Sequence, residues 1–137
     1  MILRVKFLGQ ACTLVETNNK RILCDPWIIG PCNVNSWYHL NNKIAKKTDI
    51  PTDVDYLYIS HEHTDHFHIE TLKEFSRDIP ILICKFPTDR FYNAVIEQGF
   101  KNITILNSWK KEKLDDDLEV TIIKNSELML EDSAMLI

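Results

Sequence analysis

Four of the five histidines of the chain lie in one stretch, SHEHTDHFH at residues 60–68. Imidazole is the commonest protein ligand for divalent transition metals, and carboxylate oxygen complements it. Side chains two apart in extended backbone point the same way, so His61 and His63 can converge on one ion. Asp65 and His66 follow in a turn and can aim at a neighbouring point. This motif segment (residues 60–68) therefore predicts two adjacent metal ions, each held by one of these pairs.

Such a pair of ions has a well-defined chemistry. Two metals about 3.5–4 Å apart can share a hydroxide and polarise a carbonyl or phosphoryl oxygen. The alternative is a solvated, histidine-rich turn without a specific site. Glu62, Thr64 and Phe67 alternate out of phase with the ligands and are interpreted as spacers or packing residues. His68 is either a substrate-facing group or a histidine with satisfied hydrogen bonds at the start of a helix. His39 lies alone in a long loop, where a surface position is favoured over a ligand role.

The elements around the motif segment predict an α/β fold. Short apolar, β-branched runs predict strands at 2–9, 11–17, 21–25, 54–60, 80–86 and 102–106, and a final antiparallel pair at 118–124 and 133–137. Helices are expected at 68–79, from its apolar stripe, and from Thr88 or Asp89 to Gly99. The order predicts a mixed β-sheet with helices on one face. The motif segment follows the strand at 54–60, and ligands in such sheets gather at the carboxyl ends of strands.

A long loop at 26–50 is the expected wall of a substrate pocket. It contains Trp27, Trp37 and Tyr38, whose rings could stack on a sugar or base, although simple packing is the commoner use of tryptophan. With His68, these residues are the candidate substrate pocket.

Composition narrows the class of protein. The 137 residues suit a single domain, and a net charge of −4 with scattered Lys and Arg argues against a nucleic-acid surface. The mixed-charge run 110–117 is predicted to be a solvated turn. No apolar run approaches the roughly 18 residues that span a bilayer, and the start has no signal-peptide pattern. The four cysteines lack C-x-x-C pairing, which favours buried free thiols and a cytoplasmic protein.

The HEHTDH sequence, placed after a buried strand and before a helix, resembles the His-x-His-x-Asp-His signature of the metallo-β-lactamase superfamily. RILCDPW (21–27) is similar to the early strand of that family that ends in an acidic residue. The resemblance implies that Asp25 orients the metal ligands through hydrogen bonds; the alternative is a turn-forming Asp-Pro. The runs CDPWIIGP and EDSAMLI resemble two branches, the L-ascorbate-6-phosphate lactonase-like and, nearer, the CMP-N-acetylneuraminate hydroxylase-like proteins.

By this resemblance the intact protein is a metal-dependent hydrolase. Metal-bound hydroxide would attack an ester, lactone or phosphoester in a small-molecule substrate, with Asp65 as the candidate catalytic residue and two Zn, or Mn or Fe, as the cofactor. One alternative is a component acting on nucleotide sugars or surface-polysaccharide precursors, although the chain has no Rieske spacing. Another is a non-catalytic metal-binding half-domain.

The resemblance also implies ligands that the motif segment does not supply: a third His, a bridging Asp and a final His. No histidine follows His68, and residues 124–132 offer only other polar groups, of which Glu127 could be an oxygen ligand. We therefore expect 1–137 to be a truncated metallo-β-lactamase-like domain, the first half of an αββα sandwich. A homo-oligomer or a C-terminal partner would complete it.

Overall fold

The computed structural model describes residues 3–40, 46–116, 118–125 and 131–137, which form two β-sheets and two short α-helices. The larger sheet has six strands that lie in chain order. They are β1 (Arg4–Gly9), β2 (Cys12–Glu16), β3 (Arg21–Cys24), β4 (Tyr56–Tyr58), β5 (Ile81–Cys84) and β6 (Ile103–Leu106). Strands β1 to β3 pair antiparallel and β3 to β6 pair parallel, so the sheet is mixed as predicted.

The antiparallel half is built from two hairpins at the expected turns. Gly9 has φ 146° and Gln10 has φ 51°, values that let the chain reverse between β1 and β2. The turn between β2 and β3 closes with a 2.8 Å hydrogen bond from the Thr17 amide to the Lys20 carbonyl. The second hairpin places β3 in the middle of the sheet, beside β4.

The parallel half carries the helices. Helix α1 (Ile69–Leu72) connects β4 to β5, and α2 (Arg90–Glu97) connects β5 to β6. Because β4, β5 and β6 are neighbours in that order, two right-handed crossovers place both helices on the same face of the sheet. The prediction of helices on one face is thereby confirmed. No helix in the described ranges is long and apolar enough to cross a membrane.

The first predicted helix is shorter in the structure than the sequence indicated. The prediction of a helix over 68–79 was wrong, because α1 ends at Leu72 and turns follow it. The apolar stripe is nevertheless buried: Leu72, Phe75 and Ile79 all belong to the core. The Arg77 guanidinium donates to the Leu72 carbonyl at 2.8 Å and so satisfies an acceptor at the helix end.

A three-stranded antiparallel sheet follows, formed by β7 (Lys111–Asp115), β8 (Leu118–Lys124) and β9 (Ser133–Leu136). The expected pairing of the last two strands is confirmed. The solvated turn expected at 110–117 was wrong, since most of that run is β7, paired with β8. Its lysines lie on exposed positions, and Leu114 packs against the core. The alternation of exposed and packed side chains therefore makes this run a strand despite its high charge.

The two sheets share one hydrophobic core. Leu118, Val120 and Ile122 of β8 are buried in the same cluster as the strands of the larger sheet. The Tyr56 hydroxyl donates to the Leu114 carbonyl at 3.1 Å, which joins β4 to β7 directly. The Tyr58 hydroxyl lies 2.9 Å from Ser133 Oγ, which places β9 beside the carboxyl end of β4, where the motif segment begins.

Candidate metal centre

The motif segment leaves the end of β4 and folds into a tight turn. The amides of His66 and Phe67 both donate to the His63 carbonyl, at 2.9 and 2.7 Å. Phe67 is buried and packs edge-on against Phe91 of α2, with ring centroids 5.5 Å apart. This apolar anchor holds the turn in place. The polar side chains around it are consequently presented together at the edge of the sheet.

The first predicted ligand pair is brought together. His61 Nε2 and His63 Nδ1 lie 2.9 Å apart, and the two rings meet at 80°. Two nitrogens bound to one tetrahedral zinc at 2.0–2.1 Å would be roughly 3.3 Å apart. The two rings thus already point at almost the same position.

The second pair lies beside the first. His66 Nε2 is 3.5 Å from Asp65 Oδ2, and the His61 and His66 ring centroids are 4.1 Å apart. Both pairs therefore face one small region at the carboxyl end of β4, as the spacing predicted.

Asp25 accepts a network of hydrogen bonds behind His66. It follows β3, is only 8% exposed, and accepts from the Ser60 amide at 2.7 Å and the Ser60 hydroxyl at 2.9 Å. Its Oδ2 also lies 3.0 Å from His66 Nδ1. Asp25 has φ 46°, a left-handed conformation that Asp tolerates better than most residues. The carboxylate therefore contacts a candidate ligand from behind, while its own backbone joins β4 through a 2.9 Å bond to the Tyr58 carbonyl.

His61 has a corresponding set of contacts. Its Nδ1 lies 2.9 Å from the Ser60 hydroxyl oxygen and 3.1 Å from Asp132 Oδ1, at the start of β9. The Ser60 hydroxyl also lies 3.1 Å from His66 Nδ1. Because this hydroxyl donates its one proton to Asp25, it acts as an acceptor toward both rings. Ser60 is consequently shared between the two histidines.

These contacts decide which nitrogen of each ring is free. A carboxylate accepts only, so His66 beside Asp25 and His61 beside Asp132 carry their protons on Nδ1. In the neutral form of each ring, the Nε2 lone pair then faces the cluster. Burial and the neighbouring His66 hold the pKa of His61 below its usual value. Burial opposes charge on His66 too, but the Asp25 hydrogen bond and the nearby carboxylates outweigh it and raise the pKa of His66.

The other motif residues contact groups outside the cluster. The Glu62 carboxylate pairs with the Arg90 guanidinium of α2. Thr64 Oγ1 accepts a 2.9 Å bond from the Asn33 amide in the long loop. With buried Phe67, these contacts agree with the interpretation of the three residues as spacers and packing groups.

The structure buries two of the four candidate pocket residues, Trp27 and His68, whose ring centroids are 6.2 Å apart, and exposes the other two. His68 is buried at the N-cap of α1, with Nδ1 2.9 Å from Thr71 Oγ1 and Nε2 3.2 Å from the Pro31 carbonyl. Trp27 is buried and donates to the Gly30 carbonyl at 2.9 Å. Its ring stacks on His39, centroid to centroid 4.1 Å, so His39 is half-buried against the loop. Trp37 and Tyr38 are exposed.

The imidazole and carboxylate groups of the cluster are suitable metal ligands, and hydrogen-bond partners lie behind them. They are arranged as two pairs of ligands. Within the described ranges, no group of three or more His, Cys, Asp or Glu side chains is arranged to hold one ion. His61 with His63 and Asp65 with His66 would hold the metal, with Asp25 behind them. Glu127, the expected substitute ligand, lies outside the described residues.

Two residues of the network were not selected from the sequence. Ser60 directly precedes the first histidine, and its position at the end of an apolar strand was the available signal. Asp132 was noted only as one of several polar residues near the end of the chain. Its role depends on where β9 lies relative to β4, across a sequence separation that no local pattern encodes.

Comparison with known proteins agrees with this geometry. The family model described as a beta-lactamase superfamily domain matches residues 4–133. The chain belongs to the metallo-β-lactamase superfamily. The four cysteines are free and buried, as expected for the chain.

Several relatives are much longer than this member of the superfamily. A Mycolicibacterium smegmatis protein named as a candidate Rieske 2Fe-2S iron-sulfur protein is 33% identical over 125 residues, covering 88% of this chain and 24% of that protein. Mouse cytidine monophosphate-N-acetylneuraminic acid hydroxylase is 30% identical over 126 residues, covering 88% and 22%. The chain thus spans about a quarter of these relatives. The resemblance to the hydroxylase-like branch is confirmed, and that to the lactonase-like branch stays a prediction.

A solved structure shares the fold. Isothiocyanate hydrolase from Delia radicum gut bacteria superposes with a TM-score of 0.66 at 21% identity, covering 86% of this chain and 46% of that chain. At this identity the likeness establishes the fold alone. Because the mouse relative is a hydroxylase and a protein of the same fold is a hydrolase, the reaction type must be argued from the site.

Proposed function

We propose that this chain carries the metal-binding half of a metal-dependent hydrolase. The observation that carries the proposal is the orientation of the His61 and His66 rings. Each has Nδ1 beside a carboxylate and Nε2 toward the other ligand of its pair, His63 or Asp65. His61 and His63 would hold one divalent ion, and Asp65 and His66 the other. Zinc is the first candidate because it prefers imidazole and carboxylate ligands, and manganese and iron are the alternatives.

A bound divalent ion would polarise the scissile bond and lower the pKa of a water molecule, which is the chemistry that hydrolysis of an ester, lactone or phosphoester needs. The protein side chains supply orientation. Asp25 and Ser60 would fix the His66 ring, and Asp65, the candidate catalytic residue, lies 3.5 Å from the Nε2 of that ring. Because these partners are buried, the ligands would be preorganised before the ion arrives.

The substrate would approach past the long loop. Trp37 and Tyr38 are exposed there and could stack on a ring of the substrate, while Trp27 and His68 would form the packed floor behind them. A small cavity of about 170 Å³ lies beside the loop and the motif segment, lined in part by Asn33, Thr64 and His68. A cavity of this size would accommodate part of a small-molecule substrate.

Hydrolysis can be tested with generic substrates. Protein loaded with zinc, manganese or iron is assayed on a nitrophenyl ester, a lactone and a phosphodiester. We expect His61→Ala/His63→Ala and Asp65→Ala to lose more than the roughly 10–100-fold that loss of an outer partner costs. Glu62→Ala is the matched control, since Glu62 lies in the same segment but pairs with Arg90. Hydrolysis that survives both ligand variants would contradict the proposal.

A second candidate function rests on the mouse hydroxylase relative. We propose as the alternative that the protein acts on nucleotide sugars or surface-polysaccharide precursors, with any oxidative chemistry in another region or chain. Binding of cytidine monophosphate, quenching the fluorescence of exposed Trp37, would favour it. Trp37→Phe is the control for the origin of the signal.

Localisation and partners remain part of the proposal. Four buried free thiols fit a reducing, cytoplasmic environment. The pairs of ligands support completion of each metal site by another segment, a second copy or a partner chain.

A further inference from the structure

The segment Glu131, Asp132 and Ser133 connects the small sheet to the candidate site. Glu131 Oε1 accepts from the Thr88 hydroxyl at 2.6 Å, next to α2. Ser133 Oγ donates to the Ser60 carbonyl at 2.8 Å. Asp132, between them, lies 3.1 Å from His61 Nδ1. Three consecutive residues thus contact the loops that surround the cluster, and we call this segment the β9 clamp.

The clamp is held from the larger sheet as well. Because Ser133 Oγ donates to Ser60, it accepts from the Tyr58 hydroxyl at 2.9 Å. Asp132 Oδ1 also accepts from the Ser133 amide at 2.7 Å, and its backbone carbonyl accepts from the Asn125 amide at 2.9 Å. The Ser133 amide and the backbone bond to Asn125 therefore orient Asp132 toward His61.

The contact with His61 decides a chemical property of that ring. A carboxylate 3.1 Å from Nδ1 favours the proton on Nδ1, which in the neutral ring leaves the Nε2 lone pair toward His63. Ser60 accepts at the same Nδ1, but its hydroxyl is shared with His66 and Asp25. Asp132 is thus a second acceptor beside Ser60 at His61 Nδ1, and the carboxylate nearest to that ring as Asp25 is to the ring of His66.

From this arrangement we propose that Asp132 is a positioning residue for His61, which fixes the tautomer and ring orientation of that ligand from the second sheet. Asp132 would act on the site through its contact with His61 Nδ1. The inference deepens the proposed function, since it assigns the residue that prepares one of its metal ligands. It also makes the geometry of the metal centre depend on docking of β9.

The first test needs no metal. Long-range proton–nitrogen correlation spectra of the metal-free protein at pH 8 report the tautomer of each histidine. Wild type is expected to show His61 protonated on Nδ1, and Asp132→Ala to show a measurable increase in the Nε2-protonated form. Glu131→Gln, which changes the neighbouring clamp residue, is expected to match wild type. An Asp132→Ala spectrum with an unchanged His61 tautomer would overturn the proposal.

The second test separates this inference from the proposed function. Zinc titration is expected to show a 10–100-fold weaker affinity in Asp132→Ala than in wild type or Glu131→Gln, the usual effect of losing an outer partner. Asp132→Asn retains the size and one acceptor oxygen, so it is expected to fold and to fall between the two. If wild type binds no zinc but the tautomer shifts in Asp132→Ala, the proposed function fails and the positioning role stands. If zinc affinity is lost only in Ser60→Ala, Ser60 alone positions His61 and the proposal fails.

Discussion

The two histidines that face each other across the candidate site are supported in different ways. His66 is supported by Asp25, which is 8% exposed and directly follows β3, the strand next to β4. His61 is supported by Asp132, whose side chain is 53% exposed and belongs to the small sheet. We call these the Asp25 arm and the Asp132 arm. The Asp25 arm lies within one sheet, and its hydrogen bonds are shielded from water. The Asp132 arm joins the two sheets and is exposed to water.

The difference teaches how stability and orientation can be separated in one site. Buried charge-assisted hydrogen bonds are strong, and their loss leaves donors without partners. A half-exposed contact between a neutral imidazole and a carboxylate contributes little to folding, because water competes for the carboxylate and screens it. The Asp25 arm should therefore affect both folding and metal binding, and the Asp132 arm mainly the latter.

The largest expected effect is at Asp25. Asp25→Ala removes the acceptor of the Ser60 amide, the Ser60 hydroxyl and His66 Nδ1. Each buried donor left unpaired costs about 1–3 kcal/mol, so we expect the free energy of unfolding in urea to fall by about 3 kcal/mol or more. Asp25→Asn tolerates the φ of 46° and retains one acceptor oxygen, so it should lose less. A loss below about 0.5 kcal/mol in the alanine variant would remove the distinction between the arms.

An intermediate effect is expected for the tyrosine that supports the clamp. Tyr58→Phe removes the hydroxyl that donates to Ser133, in a buried position where desolvation raises the pKa of Tyr58. We expect a loss of about 1 kcal/mol in urea unfolding together with weaker zinc binding. Tyr56→Phe is the matched control, because its hydroxyl also joins the two sheets but contacts Leu114. Equal zinc affinities in the two variants would show that the clamp does not act on the site.

The smallest expected effect lies at the outer face of the small sheet. Lys111 Nζ is 2.8 Å from the Glu119 carboxylate, and both side chains are largely exposed. Lys111→Glu should leave the urea midpoint unchanged within error at 1 M salt, where screening is strong. A marked loss of stability at high salt would mean that packing of these two side chains, and not only the burial of Val120 and Ile122, holds the small sheet.

Sequence predicts the Asp25 arm better than the Asp132 arm for a physical reason. The motif segment, the apolar strand before it and the carboxylate after β3 are short-range patterns, and the parallel pairing of β3 with β4 brings them together. Asp132 reaches His61 only because β8 packs its apolar face on the common core, which no local spacing specifies. Strand β7 was predicted to be a turn because its run of charged residues is typical of turns and hides the alternation of exposed and half-buried positions. Helix α1 was predicted to be too long because apolar residues at helical spacing can also be buried by turns.

The most direct test of the account is metal content per chain, measured by inductively coupled plasma mass spectrometry on protein purified without chelator. We expect about one or two bound ions per chain in wild type, because the two ligand pairs are adjacent. We expect the bound metal to be lost in His61→Ala/His63→Ala. Wild type that binds no metal, or a double variant that retains the wild-type content, would contradict the assignment of this cluster as a metal centre.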